Sequence, residues 1–198
     1  MIDIGTIDDP ESAAAVVDPL RNRLLAELET PSSAAGLAAR LGLPRQRVNY
    51  HLRELERLGL AKVTKERKWG GLKERLLAST ASSYFVSSKA LGPLGADPER
   101  ISDRLSASYL IALAVRLAGE VSDLLRRARD VGKRLPTLSM DSVICFRSAK
   151  ERAAFTQELT RAVTDLAARY HDPDADGSRP HRLVVAAHPL PTEKPQEK

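Results

Sequence analysis

A mainly α-helical chain with a little β structure is what three observations predict. Hydrophobic residues make up 42% of the 198 but aromatics only 4%, and an alanine- and leucine-rich composition favours helices over sandwiches and barrels. Through most of the chain apolar residues recur at intervals of three and four, the period of a helix with one buried face. One stretch, around Gly70-Gly71, changes period and reads as a tight hairpin. The length allows one or two small domains and no large multidomain enzyme.

Charge and cysteine content narrow the field. Lys plus Arg number 31 against 26 Asp plus Glu, a net charge of +5, which matters only where it is concentrated. The single cysteine, Cys145, excludes an internal disulfide and any multi-cysteine zinc or iron–sulfur site, so a cytoplasmic location is expected. The first nine residues are acidic and lack an unbroken apolar run, unlike a secretory leader. The longest nearly uncharged apolar stretch, Tyr109 to Val115, falls far short of the roughly 20 residues a membrane span needs. No membrane partner is expected.

Residues 1–18 carry Asp3, Asp8, Asp9, Glu11 and Asp18 and no basic residue, which predicts a loose acidic arm, helical at most from Pro10. Asp18 then suits an N-cap with Pro19 in the first helical position, and Leu20, Leu24, Leu25 and Leu28 mark the face of a short helix. Thr30-Pro31-Ser32-Ser33 starts a second helix with Leu37 and Leu41 on one face, which Gly42 ends. Pro44 opens a third with Val48, Leu52, Leu55 and Leu58, and Gly59 ends that one. Two short antiparallel strands follow, roughly 61–67 and 72–79, with Gly70-Gly71 at the tip. Residues 82–89 are Ser-rich and compatible with a short helix, and Leu91 to Ala96 is a linker by its Gly and Pro content.

Asp97-Pro98-Glu99 repeats the cap-and-proline start, and helical character then runs to about Lys133. Its apolar side chains point nearly all round, which predicts burial on more than one side. Residues 138–146 read as a strand, Ser148 to Glu151 as a capping box opening a helix with Phe155, Leu159, Val163, Leu166 and Tyr170 on one face, and residues 182–188 as a second strand. The whole reads as an acidic arm (1–18), a winged helix-turn-helix domain (19–92), a strand–helix–strand α+β domain led by the long helix (97–190), and a disordered tail (191–198).

Three helices followed by a basic hairpin make the winged helix-turn-helix order, in which the third helix enters the major groove and the hairpin rides on the backbone or the minor groove. From Arg40 to Arg75 there are eleven basic against four acidic residues, an excess of seven within a chain of net +5. The basic excess therefore lies on the motif. The runs Ala34-Ala35-Gly36-Leu37-Ala38-Ala39-Arg40-Leu41-Gly42-Leu43, Val48-Asn49-Tyr50-His51-Leu52-Arg53-Glu54-Leu55 and Leu58-Gly59-Leu60-Ala61 resemble the ArsR-like winged-helix repressors over roughly residues 15–90. The resemblance implies a homodimeric repressor that releases double-stranded DNA when an effector binds.

Carried onto this chain, the resemblance makes Arg45, Gln46, Asn49 and Tyr50 the base-reading positions, with Arg47 and Arg53 near phosphates. The residue types suit that role, since Arg can bridge guanine O6 and N7, and Gln or Asn can pair with adenine N6 and N7. In the hairpin, Lys65, Arg67, Lys68, Lys73 and Arg75 suit phosphate or minor-groove contacts. Trp69 at the tip suits a sugar-phosphate contact or a packing role. The metal-sensing members use a Cys-x-Cys pair near the second helix or paired ligands on a terminal helix; residues 31–41 hold no Cys, and His51, His171, His181 and His188 are not paired at helical spacing. Asp172 to Gly177 opens like a calcium loop, but Leu183 stands where the bidentate Glu is needed. No metal or cofactor is expected.

The second domain admits two readings. In one, the long helix forms a dimer core, and Tyr109, Leu113, Met140, Ile144, Phe155 and Leu159 line a pocket for a small apolar effector. In the other, these are ordinary core residues and the domain only dimerises. Cys145 is expected to be a buried small hydrophobe. No phosphate loop, nucleophile motif or paired metal ligands support catalysis. The reading that follows is a sequence-specific transcriptional regulator; the alternative is a winged helix that docks proteins, against which the basic excess argues.

Overall fold

The computed structural model describes residues 2–69 and 72–191, the side chains of residues 68, 69, 72 and 73 excepted. The order is β1 (Ile2–Ile7), α1 (Pro10–Val17), α2 (Pro19–Glu27), α3 (Ala34–Leu41), α4 (Arg45–Arg57), β2 (Ala61–Trp69), β3 (Leu72–Ser79) and β4 (Ala81–Val86). Two 3-10 segments, Ser88–Leu94 and Pro98–Arg100, lead to α5 (Ala107–Asp130), and α6 (Ala149–Tyr170) follows. The fold is mainly α with two small two-stranded sheets. The chain divides into two compact units, Met1–Leu135 and Pro136–Lys198.

Local signals set the helix boundaries of the first unit. The Asp18 carboxylate accepts from the backbone N–H of Leu20 at 3.0 Å and Arg21 at 2.8 Å, satisfying donors that a helix start leaves unpaired. Ser33 Oγ accepts from Gly36 N in the same way, and Gly42 closes α3 at φ 65°, a left-handed conformation that costs glycine little. Leu24, Leu28, Leu37, Val48, Leu52 and Leu55, from three helices, form the fully buried centre. The hairpin stands on that core through Leu77, which exchanges two backbone hydrogen bonds of 2.9 Å with Ser32.

Residues 2–18 are not a loose arm. β1 pairs in parallel with β4, Ile4 opposite Ser83 and Gly5 opposite Tyr84, so residues 81–86 form a strand where the Ser-rich composition suggested a short helix. The fit depends on Gly5: a Cβ there would lie 3.0 Å from the Tyr84 ring and from the Ala81 Cβ. That ring reaches across to donate its hydroxyl proton to Leu60 O at 2.8 Å. The acidic side chains of the segment serve as caps and ion-pair partners, Asp9 capping α1 through Ser12 N at 2.7 Å, while Ile7 and Ala15 enter the core.

α5 belongs to the first unit, and it begins at Ala107 rather than at Pro98 because residues 98–106 form a short turn and a loop. It is not buried on several sides: Ala112 is its one buried residue among those described. The helix docks through its charged side. Arg116 pairs with Asp97 and Glu99, Asp123 with Lys89, and Arg126 with Asp8, and Arg129 donates to Ile4 O. The opposite side carries Leu110, Ile111, Ala114, Leu117, Ala118, Val121, Leu124 and Leu125 with no charge among them, all exposed or half-buried.

In the second unit α6 starts where the capping box places it, with Ser148 Oγ accepting from Glu151 N at 3.1 Å. The two flanking strands do not form: residues 138–146 and 182–188 are irregular, since neither segment pairs with the other and an isolated β-prone segment has no partner for its backbone groups. The strand–helix–strand arrangement is thus replaced by one helix between irregular segments. α6 has no fully buried residue; Phe155, Leu159 and Val163 are half-buried, and Leu166 and Tyr170 are exposed. Cys145 is exposed rather than buried.

Candidate nucleic-acid interface

α3, the turn Gly42-Leu43-Pro44 and α4 form the helix pair that carries the candidate surface. Leu43 N donates to Ala38 O at 3.0 Å, which folds the chain back over the end of α3, and Pro44 starts α4 with its φ already set. α4 buries Val48, Leu52 and Leu55, so the 3.6-residue period turns the intervening positions outward. Arg45, Gln46, Arg47, Asn49, Tyr50 and Arg53 are all exposed. The six positions singled out on this helix therefore share one solvent face.

That face has two flanks. On one, Arg45, Gln46, Asn49, Arg53 and Glu56 line a cleft of about 420 Å³, closed by Ser33, Ala34 and Ala35 at the start of α3 and by Glu74, Arg75 and Leu77 of the hairpin. On the other, Arg57 pairs with Glu11 of α1 and with Glu54, and His51 lies within electrostatic range of Asp18 and Arg21 at the start of α2. Burial and then the Arg21 charge push the His51 imidazole below its usual range, while Asp18 opposes them. His51 packs edge-on against Tyr50 at 5.2 Å between ring centres. It is half-buried on α4, near the charges of Asp18 and Arg21.

β2 and β3 pair in antiparallel fashion from Ala61–Ser79 to Trp69–Leu72, with a shift between Val63 and Lys65. Thr64 falls in that shift and donates its hydroxyl proton to Leu76 O at 3.2 Å, a bulge of the kind that increases local twist. Lys65 and Arg67 are exposed on β2. Lys68 and Lys73 are opposite one another in the register, as are Trp69 and Leu72; their side chains lie outside the described residues, as do Gly70 and Gly71 themselves. Arg75 is turned toward α4 and pairs with Glu56 at 2.5 Å.

Ion pairing sorts the eleven cations of residues 40–75. Arg40 is tied to Glu27 and Ser32 Oγ, Arg57 to Glu11 and Glu54, and Arg75 to Glu56. No ion pair among the described residues engages Arg45, Arg47 or Arg53. The Arg57–Glu11 and Arg75–Glu56 pairs had no signal in the sequence, because partners 46 and 19 residues apart meet only in the folded chain.

The positions singled out for an effector fall in different places. Tyr109 and Leu113 are half-buried on α5. Met140 and Ile144 lie in the irregular segment of the second unit, 88% and 49% exposed, and the Phe155 ring rests 5.3 Å from that of Phe146, one helical turn from Leu159. No group of three or more His, Cys, Asp or Glu among the described residues could hold a metal ion. None of the described helices is long and apolar enough to cross a membrane.

No curated protein matches the chain. Residues 16–64 match the model of a family described as a helix-turn-helix domain, a span that runs from the end of α1 through α4 into the first residues of β2.

Proposed function

We propose that the protein is a sequence-specific double-stranded-DNA-binding transcriptional regulator, a cytoplasmic homodimeric repressor of the ArsR-like type, whose segment after residue 97 dimerises and takes a small apolar effector. One observation carries the reading: three arginines and two side-chain amides share the exposed face of the second helix of a helix-turn-helix, beside a basic hairpin. Arginine and amide groups on such a helix match base edges in the major groove, and lysines and arginines on the hairpin match the phosphates beside it. A winged helix that docks proteins has no need of both.

The apolar side of α5 supports the dimer. It runs from Leu110 to Leu125, about 24 Å at 1.5 Å per residue, and a continuous apolar strip on a monomer marks an interaction site. A second copy is the occupant that fits, because an uncharged, alanine-containing strip is complementary to itself under two-fold symmetry. Repression and an effector rest on the ArsR-like resemblance, and Phe155 and Leu159 are the half-buried groups in the second unit that would meet an apolar molecule. Selection of duplexes from a random library by the full chain tests the function. Enrichment of an inverted repeat with half-sites about 10 base pairs apart is expected; recovery of no common sequence would turn the search to protein partners.

A further inference from the structure

We infer that Arg75 is a strap between the hairpin and α4 rather than one of the hairpin's DNA contacts, and that Glu56, which holds it, sets the discrimination of the interface. The inference rests on the DNA-binding reading above. Arg75 Nη2 lies 2.5 Å from Glu56 Oε1 with both side chains about a third exposed, inside the cleft that also holds Arg45, Asn49 and Arg53. Glu56 stands one turn beyond Leu52 and Arg53, so it is the acidic end of the flank whose other members suit base and phosphate contacts.

Two consequences follow from that placement. Leu77, two residues along β3, is already fixed to Ser32 by a pair of 2.9 Å backbone bonds. A second tie at Arg75 therefore fixes the angle at which the free part of the hairpin leaves the domain, and with it the distance from Lys65 and Arg67 to the reading helix. The carboxylate also engages a guanidinium that the hairpin would otherwise offer to a phosphate. A cation held by an internal acid releases no counterion from DNA, so the pair withholds sequence-independent affinity and leaves discrimination to Arg45 and Asn49, a gain in specificity at the expense of affinity.

The test is fluorescence anisotropy of the full chain on a labelled mixed-sequence duplex of about 30 base pairs, from about 50 to 200 mM salt. Each phosphate-neutralising cation adds about 0.9 to the slope of log affinity against log salt, roughly a threefold change over that range. The double variant Glu56→Gln/Arg75→Gln, neutral as the pair is, is expected to keep the wild-type slope. Glu56→Gln alone frees Arg75 and is expected to steepen it by about one cation, with tighter binding to the mixed duplex and a smaller preference for the selected site. A double variant whose slope falls by about one cation, with Glu56→Gln unchanged, would show Arg75 on phosphate and overturn the strap. Wild-type chain that binds no duplex at low salt would overturn the DNA-binding reading itself, a result distinct from either. Both side chains are partly exposed, and an unchanged circular-dichroism melt verifies that each variant folds.

Discussion

Arg45 and Asn49 stand one helical turn apart on the flank of α4 that faces the cleft, exposed and with no internal ion pair on the arginine. If they read bases, Arg45→Ala costs on the order of 1–3 kcal/mol on the selected site and relaxes preference at one base pair, whereas Lys65→Ala weakens all sequences alike. Equal losses on selected and random DNA from the Arg45 change would remove it from the reading set. Gly5 is a second residue with a sharp expectation. A side chain there meets the Tyr84 ring and the Ala81 Cβ at 3.0 Å, so Gly5→Val should lower stability by about 1–3 kcal/mol through overpacking, seen as a lower urea midpoint with an unchanged slope. An unchanged midpoint would mean that β1 contributes nothing to the unit.

Titration at Asp18 belongs to the same scale. The backbone N–H of Arg21 holds its carboxyl below the usual value of 3.8, ahead of the opposing effect of burial and the supporting charge of Arg21. A carboxylate whose folded pKa is depressed stabilises the fold above its unfolded pKa and loses that contribution as pH falls through the folded value. Stability should therefore decline below about pH 4, and Asp18→Asn should flatten that decline in a urea midpoint measured against pH. Caps of this sort were legible in the sequence, because Asp18, Ser33, Gly42 and Ser148 act on neighbours two to four residues away. The Arg57–Glu11 and Arg75–Glu56 pairs were not, since their geometry exists only after the elements pack.

Elements succeeded or failed in the sequence according to whether their partner is local. The three helices of the helix-turn-helix and the hairpin after them each have a cap or a turn and one apolar face, and all four form. β1 and β4 pair in parallel, Ile2 opposite Ala81 and Ile7 opposite Val86, a contact that no short-range pattern announces. Residues 138–146 and 182–188 have strand composition and no strand partner, which shows that β propensity reports a side-chain preference and not a ladder. α5 was legible as an apolar helix, but which side docks was not: its ion pairs to Asp97, Glu99, Lys89 and Asp8 turn the apolar strip outward. If that strip joins two copies, Val121→Glu places a charge in its middle and should convert a dimer to monomer in sedimentation velocity, with the melting of the first unit little changed. A monomeric wild-type chain would place the strip's partner elsewhere.

For the whole molecule, the distribution of charge matters more than its sum. The chain carries +5 overall, yet residues 40–75 alone hold an excess of seven, and the internal pairs of Arg40, Arg57 and Arg75 take several of those cations out of reach. What is left is an exposed set of arginines and amides on α4 and a basic edge on β2, the layout that the proposed base-reading role requires. The measurement that tests this most directly is anisotropy on duplex DNA from the region upstream of the protein's own gene, against a scrambled duplex, as salt is raised. A preference of about a thousandfold or more, with affinity falling steeply in salt, is expected of a specific regulator. Equal, weak binding to both duplexes, and to sites recovered by selection, would contradict the assignment of α4 as a base-reading helix.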